Sequence, residues 1–367
     1  MKTVLTVVIP CYNEENTLVE CVSRVRSIAD LSLCLEIIIV DDCSEDSSLQ
    51  IARNLATQYN EVRVLQHDKN QGKGAALKSG FQYATGDFVA VQDADLEYDP
   101  NDLKRLIVPL QDGKADVVLG SRFCSSGAHR VFYFWHYMGN RFLTFLSNMF
   151  TDLNLTDMET CYKIFRRDVI QSIDIKEKRF GFEPEIVAKV AHKRLRVYEM
   201  GITYNGRTYA EGKKITARDG FRALYCILRY NAHQSPLPIQ FLIYLFIGGT
   251  AAVVNLGFFL FFLGNGLSVT ISVLAAFSIA AVINYLLCIW VLFRHKVKWG
   301  AVSEVIIFIS VVAFTAALDL FITKTTLLFV TAPAIAKLAG IGTGFIFNFL
   351  GRRFLVFPEK QSDPWQK

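Results

Sequence analysis

Charged residues, scattered evenly from Met1 to about Asn231, become sparse between Ile239 and Phe357, where long apolar runs take their place. Runs of that kind are long enough to cross a bilayer core of about 30 Å. The chain of 367 residues therefore reads as a soluble first part followed by a membrane-embedded second part. The boundaries are set at 1–235, 236–358 and a polar tail at 359–367.

Four membrane helices are predicted, at about 239–263, 268–293, 301–329 and 333–357. They contain an internal repeat. The segment from Asn284 to Phe293 (NYLLCIWVLF) parallels that from Asn348 to Phe357 (NFLGRRFLVF). Asn255 precedes the first asparagine by the same interval as Asp319 precedes the second, so two hairpins of one design are expected. Interhelical hydrogen bonding is the preferred reading of these four polar side chains, with a transport role as its rival. Arg294, Lys296 and Lys298 follow the second helix, and Arg352 and Arg353 end the fourth. Positive charge favours the cytoplasmic side, which puts the first part, the middle loop and the C-terminus there. The expected location is the cytoplasmic (inner) membrane, multi-pass, with the first part cytoplasmic.

The first 122 residues alternate strand and helix signals. Strands are predicted at Val4–Pro10, Leu35–Asp42, Val62–His67, Asp87–Asp95 and Asp116–Gly120. Helices are predicted at Glu14–Ala29, Asp46–Gln58, Gly74–Ala84 and Pro100–Leu110. Units of this length imply an α/β fold, a parallel sheet with helices on both faces, and buried parallel strands read as unbroken apolar runs such as IIIV and FVAV. Ligands on such sheets bind beyond the carboxyl ends of the strands. Three polar clusters stand at those ends: Pro10 to Glu14 (PCYNE), Asp41-Asp42, and Asp93-Ala94-Asp95.

Carboxylates at i and i+2, as in Asp93 and Asp95, can share one Mg2+ or Mn2+, which favour oxygen ligands and bridge to substrate phosphates. Glu97 is a candidate third ligand. Asp42 is placed to accept from a base N–H or a ribose hydroxyl, or to cap the next helix. Asn70 to Gly74 (NQGKG) lacks the Walker spacing, yet Lys73 at a helix N-terminus suits a diphosphate. Arg122, Arg130, Arg207, Lys213 and Lys214 are candidate anion clamps, because the arginine fork matches phosphate oxygens; a basic fringe facing the membrane is the alternative.

Two segments are expected at the membrane interface. Residues 131–150 (VFYFWHYMGNRFLTFLSNMF) are crowded with the aromatics that such interfaces favour, with Arg130 and Arg141 beside and within them. Residues 215–231 form an amphipathic pattern, with Arg218, Arg222 and Arg229 on one face and Phe221, Leu224, Tyr225 and Leu228 on another. The net charge of +5 is not gathered on a recognition element, so no nucleic-acid partner is expected. None of the eight cysteines forms a CxxC pair, which speaks against zinc and suits a reducing cytosol. The N-terminal apolar run is short and followed by acids, the mark of a first strand rather than a signal peptide.

These residues resemble glycosyltransferase family 2 with the GT-A fold. The resemblance rests on Val8 to Glu14, Val40 to Ser44, Gly72 to Ala75, Asp93 to Asp95, Gly120-Ser121-Arg122, Asp157 to Lys163, Phe182 to Glu185 and Tyr204 to Asp219. It is similar in particular to the polyprenyl-phosphate branch, which holds dolichol-phosphate mannosyltransferases and undecaprenyl-phosphate glucosyltransferases. The four-helix part resembles the GtrA-like family. The resemblance implies an inverting transfer of a hexose, from UDP-glucose or GDP-mannose, to an undecaprenyl or dolichyl phosphate. It implies that Pro10, Tyr12, Glu14, Asp42, Lys73, Asp93, Ala94, Asp95, Arg207 and Lys213 bind the nucleotide sugar. Asp93, Asp95 and Glu97 would hold the metal, and Arg122, Arg130 and Arg141 would meet the acceptor phosphate, with Asp93, Asp95 and Arg122 carrying the catalysis. Mannosyltransferases of this branch often have Gln where this chain has Glu97. A processive polysaccharide synthase is disfavoured, because the QxxRW stretch of those enzymes is missing. Translocation of the lipid-linked sugar by the membrane part stays open, as does homo-oligomer formation.

Overall fold

A computed structural model describes residues 2–124, 130–131, 133–206, 217–293, 301–329 and 333–356. The chain divides into two compact units, Met1–Ser235 and Pro236–Lys367.

The first unit starts with β1 (Thr3–Cys11), α1 (Leu18–Arg26), β2 (Leu33–Asp41), α2 (Ser48–Gln58), β3 (Val62–Gln66), α3 (Lys73–Tyr83) and β4 (Phe88–Val91). It continues with α4 (Asn101–Leu106), α5 (Val108–Gln111), β5 (Val117–Ser121), α6 (Phe134–Thr151), β6 (Lys163–Arg166), α7 (Arg167–Gln171), α8 (Phe182–His192), β7 (Val197–Gly201) and α9 (Ala217–Asn231). The strands form one seven-stranded sheet in the order β3-β2-β1-β4-β6-β5-β7. Val7, Ile9, Ile37, Ile39, Val89 and Val91 are closed off from solvent, as strands covered on both faces require.

The sheet is mixed rather than parallel. β6 lies antiparallel between β4 and β5. Its four residues, Lys-Ile-Phe-Arg, carry a charge at either end, so no apolar run announced the strand. Further boundaries differ from expectation. The strand predicted at Asp87–Asp95 ends at Val91, which leaves Asp93 to Asp95 on the following loop. The helix expected from Glu14 begins at Leu18. The one expected over Pro100–Leu110 breaks in two at Ile107, just before Pro109, which lacks a backbone donor.

The two segments read as interface elements are the helices α6 and α9. Phe134, Trp135, Phe142 and Phe145 stand exposed on α6. On α9 the core face is Ala223, Cys226, Ile227 and Tyr230, whereas Phe221, Tyr225 and Leu228 are exposed. The helix thus carries a second apolar face that the first unit does not bury.

The second unit holds α10 (Leu237–Gly264), α11 (Val269–Leu287), α12 (Ala301–Leu327) and α13 (Pro333–Gly351). Both α11 and α13 run on into a π-helical turn, Cys288–Phe293 and Arg352–Val356. Among the described residues, Leu237–Gly264 is the one helix that passes as a membrane span by length and composition alone. Tyr244, Ile247, Cys288, Leu292 and Phe349 form the buried centre of the unit. The basic loop at 294–298 and the side chain of Asp319 lie outside the described residues.

Candidate active site

β1, β2 and β4 are neighbours in the sheet, so the polar segments at their carboxyl ends meet at one rim. There they line a cavity of about 670 Å³. Pro10, Tyr12, Glu14, Asp42, Lys73, Asp93, Ala94, Asp95, Glu97 and Arg122 all face it. Arg130 and Arg141 are exposed and outside its lining; Arg130 donates to the Gly206 carbonyl at 2.7 Å. Arg207, Lys213 and Lys214 lie outside the described residues.

The loop before α3 is built by Asp42 and two glycines. Asp42 accepts from the backbone N–H groups of Gln71 at 2.9 Å and Gly72 at 2.6 Å. It also meets His67 Nδ1 at 2.7 Å, and His67 Nε2 lies 2.9 Å from Ser79 Oγ. This carboxylate therefore organises the loop as well as lining the cavity. Gly72 has φ +95°, and a Cβ there would sit 2.4 Å from the Lys178 carbonyl oxygen. A Cβ on Gly74 would lie 2.2 Å from that of Glu177. The GxG pattern exists because the 177–179 backbone crosses it closely.

That packing sends Lys73 into the cavity. Its ammonium lies 2.9 Å from Asp93 Oδ1 and 3.2 Å from Glu183 Oε1. Burial alone would lower its pKa, but Asp93 and Glu183 hold it well above the ordinary lysine value. Arg122 is more enclosed still. Its Nε and Nη2 each donate to Asp157 at 2.7 Å, and its guanidinium lies over the Tyr204 ring at 5.3 Å.

Asp93 and Asp95 supply hard oxygen donors to the same cavity, which fits Mg2+ or Mn2+. Glu97 lines the same cavity, and its Oε2 accepts from the Tyr204 hydroxyl at 2.7 Å. Among the described residues no three acid, histidine or cysteine side chains gather closely enough to hold a metal by themselves. A cation here would thus take two protein carboxylates and complete its shell with phosphate oxygens and water, the usual manner of magnesium.

Glu159, Glu183, Tyr98, Tyr204, Trp135 and Asn140 also line the cavity. None was singled out as a site residue from sequence. Glu159 is the most unusual of them. Its Oε1 is shut off from solvent and has no hydrogen-bond partner among the described residues. Burial, and then the charge of Glu183, push this carboxyl up to about 8. At neutral pH it is a neutral acid, able to donate one hydrogen bond as well as accept. Lys163, wholly enclosed behind it, has its pKa lowered by burial and donates to the Thr160 carbonyl. Cys11 also faces the cavity, but burial pushes its thiol up to about 12, so it is no nucleophile at neutral pH.

Comparison with known proteins finds similarity in both parts of the chain. Residues 6–174 match the family described as glycosyl transferase family 2. Residues 243–357 match the one described as the GtrA/DPMS transmembrane domain. The dolichol-phosphate mannosyltransferase of Pyrococcus furiosus is 25% identical over 359 residues, spanning 96% of this chain and 99% of that one. The dodecaprenyl-phosphate galacturonate synthase of Rhizobium johnstonii is 28% identical over 273 residues, 71% of this chain and 78% of that one. Among solved structures, glucosyl-3-phosphoglycerate synthase from Mycobacterium tuberculosis, in complex with Mn2+, UDP and glucosyl-3-phosphoglycerate, gives a TM-score of 0.49 at 19% identity. That match covers 63% of this chain and 80% of the other.

Proposed function

We propose that this chain, a glycosyltransferase that joins a family 2 domain to a GtrA/DPMS transmembrane domain, moves a hexose from a nucleoside diphosphate sugar to a polyprenyl phosphate. One observation carries the reading. Asp93, Asp95, Lys73 and Arg122 converge on a single cavity, and Trp135 of α6 and Ala223 of α9, two helices with exposed apolar faces, belong to its wall. A charged site suited to a diphosphate thus opens beside surfaces suited to a lipid chain. The names of the two relatives, which specify dolichol phosphate and dodecaprenyl phosphate, support a polyprenyl phosphate acceptor.

The reaction needs few proton transfers. A phosphate monoester has its second pKa near about 6, so at neutral pH it is largely a dianion. One of its oxygens attacks the anomeric carbon, the bond from that carbon to the diphosphate breaks, and the configuration inverts. The diphosphate leaves with the electron pair. Arg122, fixed by Asp157, offers the acceptor phosphate a guanidinium that does not swing. Lys73 supplies positive charge where the diphosphate leaves. A divalent cation, Mg2+ or Mn2+, held by Asp93 and Asp95 would neutralise the rest of that charge. No general base is required, which leaves Glu159 to contact sugar hydroxyls rather than to take a proton. The membrane unit would be multi-pass and keep the catalytic unit on the cytoplasmic face, where nucleotide sugars are found.

The test is release of nucleoside diphosphate by the purified full chain with Mg2+ or Mn2+. UDP-glucose, UDP-N-acetylglucosamine and GDP-mannose are offered in turn, with and without undecaprenyl phosphate. Lipid-dependent release from one donor supports the reading and names the sugar. Release from none of them, with or without the lipid, overturns it for these donors.

A further inference from the structure

Toward one end of the membrane unit lies a buried cation that has no acidic partner among the described residues. Arg352 stands four residues after Asn348, at the end of α13, and is 6% exposed. Its Nε donates to Asn348 Oδ1 at 3.1 Å, and its Nη1 to Asn284 Oδ1 at 2.5 Å and to Cys288 Sγ at 3.5 Å. The guanidinium lies over Phe308 at 4.8 Å and over Tyr244 at 5.5 Å. All of these partners are neutral. Among the described residues Arg352 makes no ion pair, and its Nη2 donates to nothing. The carboxamides orient the fork and leave its charge uncancelled, an arrangement that is costly in a membrane protein unless something anionic completes it.

We infer that Arg352 binds the phosphate group of a membrane lipid, with Asn284 and Asn348 holding its guanidinium in place. Position supports this. Tyr244 lies near the start of α10, Asn284 near the end of α11, Phe308 near the start of α12 and Asn348 near the end of α13. The π-helical turns carry α11 and α13 on to Phe293 and Val356, so the asparagines lie about two turns inside that end, while Arg352 itself is about one turn from it. The cluster is displaced from the middle of the helices toward the end where lipid phosphates are, and a long arginine reaches the rest of the way. Arginine's planar fork matches two phosphate oxygens, and one prong is still unused here.

The internal repeat points the same way. Cys288 stands four residues after Asn284, as Arg352 does after Asn348, and each opens a π-helical turn. Such turns often mark functional sites. The two hairpins thus bring equivalent positions together, and only the second places a charge there. If the arginine were a spacer between helices, a neutral residue would serve in both.

The chemistry fits a phosphate monoester, such as a polyprenyl phosphate, or the diester of a bulk acidic phospholipid. The experiment separates them. The full chain in mild detergent is given undecaprenyl phosphate, phosphatidylglycerol, phosphatidylcholine or phosphate-free undecaprenol, and retained lipid is counted by native mass spectrometry. The wild type is expected to retain one acidic lipid that Arg352→Gln holds at least tenfold more weakly, while Arg352→Lys keeps part of the affinity. Undecaprenyl phosphate held equally by wild type and Arg352→Gln is the share of the catalytic unit. An Arg352-dependent loss confined to undecaprenyl phosphate assigns the monoester, and a loss shared with phosphatidylglycerol assigns acidic lipid in general. Equal retention of every lipid by wild type and Arg352→Gln overturns the inference. Should Arg352→Gln fail to fold, the wild type decides alone: its melting temperature must rise with an acidic lipid and not with phosphatidylcholine or undecaprenol, and no such difference overturns the inference too.

Discussion

Asp157 receives Arg122 on both of its oxygens, from Nε and from Nη2 at 2.7 Å each, and takes a third bond from the Arg122 backbone N–H at 3.0 Å. Both side chains are nearly closed to solvent. Asp157→Asn would leave a buried guanidinium without its counter-charge, and such losses cost about 3–5 kcal/mol. The expected result is a lower midpoint in chemical denaturation. A loose Arg122 should also misplace the acceptor phosphate, with a fall of about a hundredfold in kcat and little change in donor KM. Unchanged kcat in a folded Asp157→Asn protein would remove Arg122 from the acceptor site.

Asp95 has a different neighbourhood. Lys73 already neutralises Asp93, so Asp95 is the carboxylate that a divalent ion would depend on most. Asp95→Ala should lower turnover by about a thousandfold or more, the scale of losing metal stabilisation of a leaving group. Nucleoside diphosphate release, measured across a metal titration, checks it. A variant that turns over normally in a chelator would show that no cation works at this loop.

Much of this site was legible because strand ends are legible. IIIVDD and FVAVQDAD announce apolar strands that stop at acids, and the parallel order of β2, β1 and β4 then forces those acids to one rim. The order around β6 was hidden, since four residues flanked by charges carry no periodicity. Glu159 was hidden for another reason. Its character comes from Glu183 and from burial, both of which depend on how distant segments pack. The core face of α9, Ala223, Cys226, Ile227 and Tyr230, went unread for a like cause. Helical spacing separates faces, but it does not say which face meets the core. There the small residues Ala223 and Cys226 allow close packing and leave Phe221 outside.

The glycines before and within α3 should be intolerant. Gly74→Ala puts a methyl 2.2 Å from a backbone oxygen, and Gly72→Ala adds a left-handed φ to a 2.4 Å approach. Backbone strain of this kind costs about 1–3 kcal/mol for each site. Because Lys73 lies between them, its ammonium should move away from the cavity. The loss of one hydrogen bond to a charged group, about 1.5–3 kcal/mol, corresponds to a rise in donor KM of about ten- to a hundredfold. Thermal unfolding and donor titration of the two single variants check both effects. Normal donor KM in both would separate Lys73 from diphosphate binding.

Glu159 gives stability a definite slope with pH. Its carboxyl is raised from an ordinary 4.5 to about 8 in the folded chain, by burial first and by Glu183 second. Below 4.5 both the folded and the unfolded chain hold this proton, and above about 8 neither does. Between those limits only the folded protein keeps it, so raising the pH favours unfolding. The contribution therefore falls steadily across the window and levels off above it. Glu159→Gln has the same shape and no proton to lose. The difference in unfolding free energy, variant minus wild type, should grow from pH 5 to pH 8 by on the order of a few kcal/mol, then stay constant. Subtracting the two curves cancels the titration of every other group that the substitution leaves alone. A difference that stays flat from pH 5 to pH 8 would mean that Glu159 is already ionised in the folded protein, held by a cation rather than neutral beside Glu183.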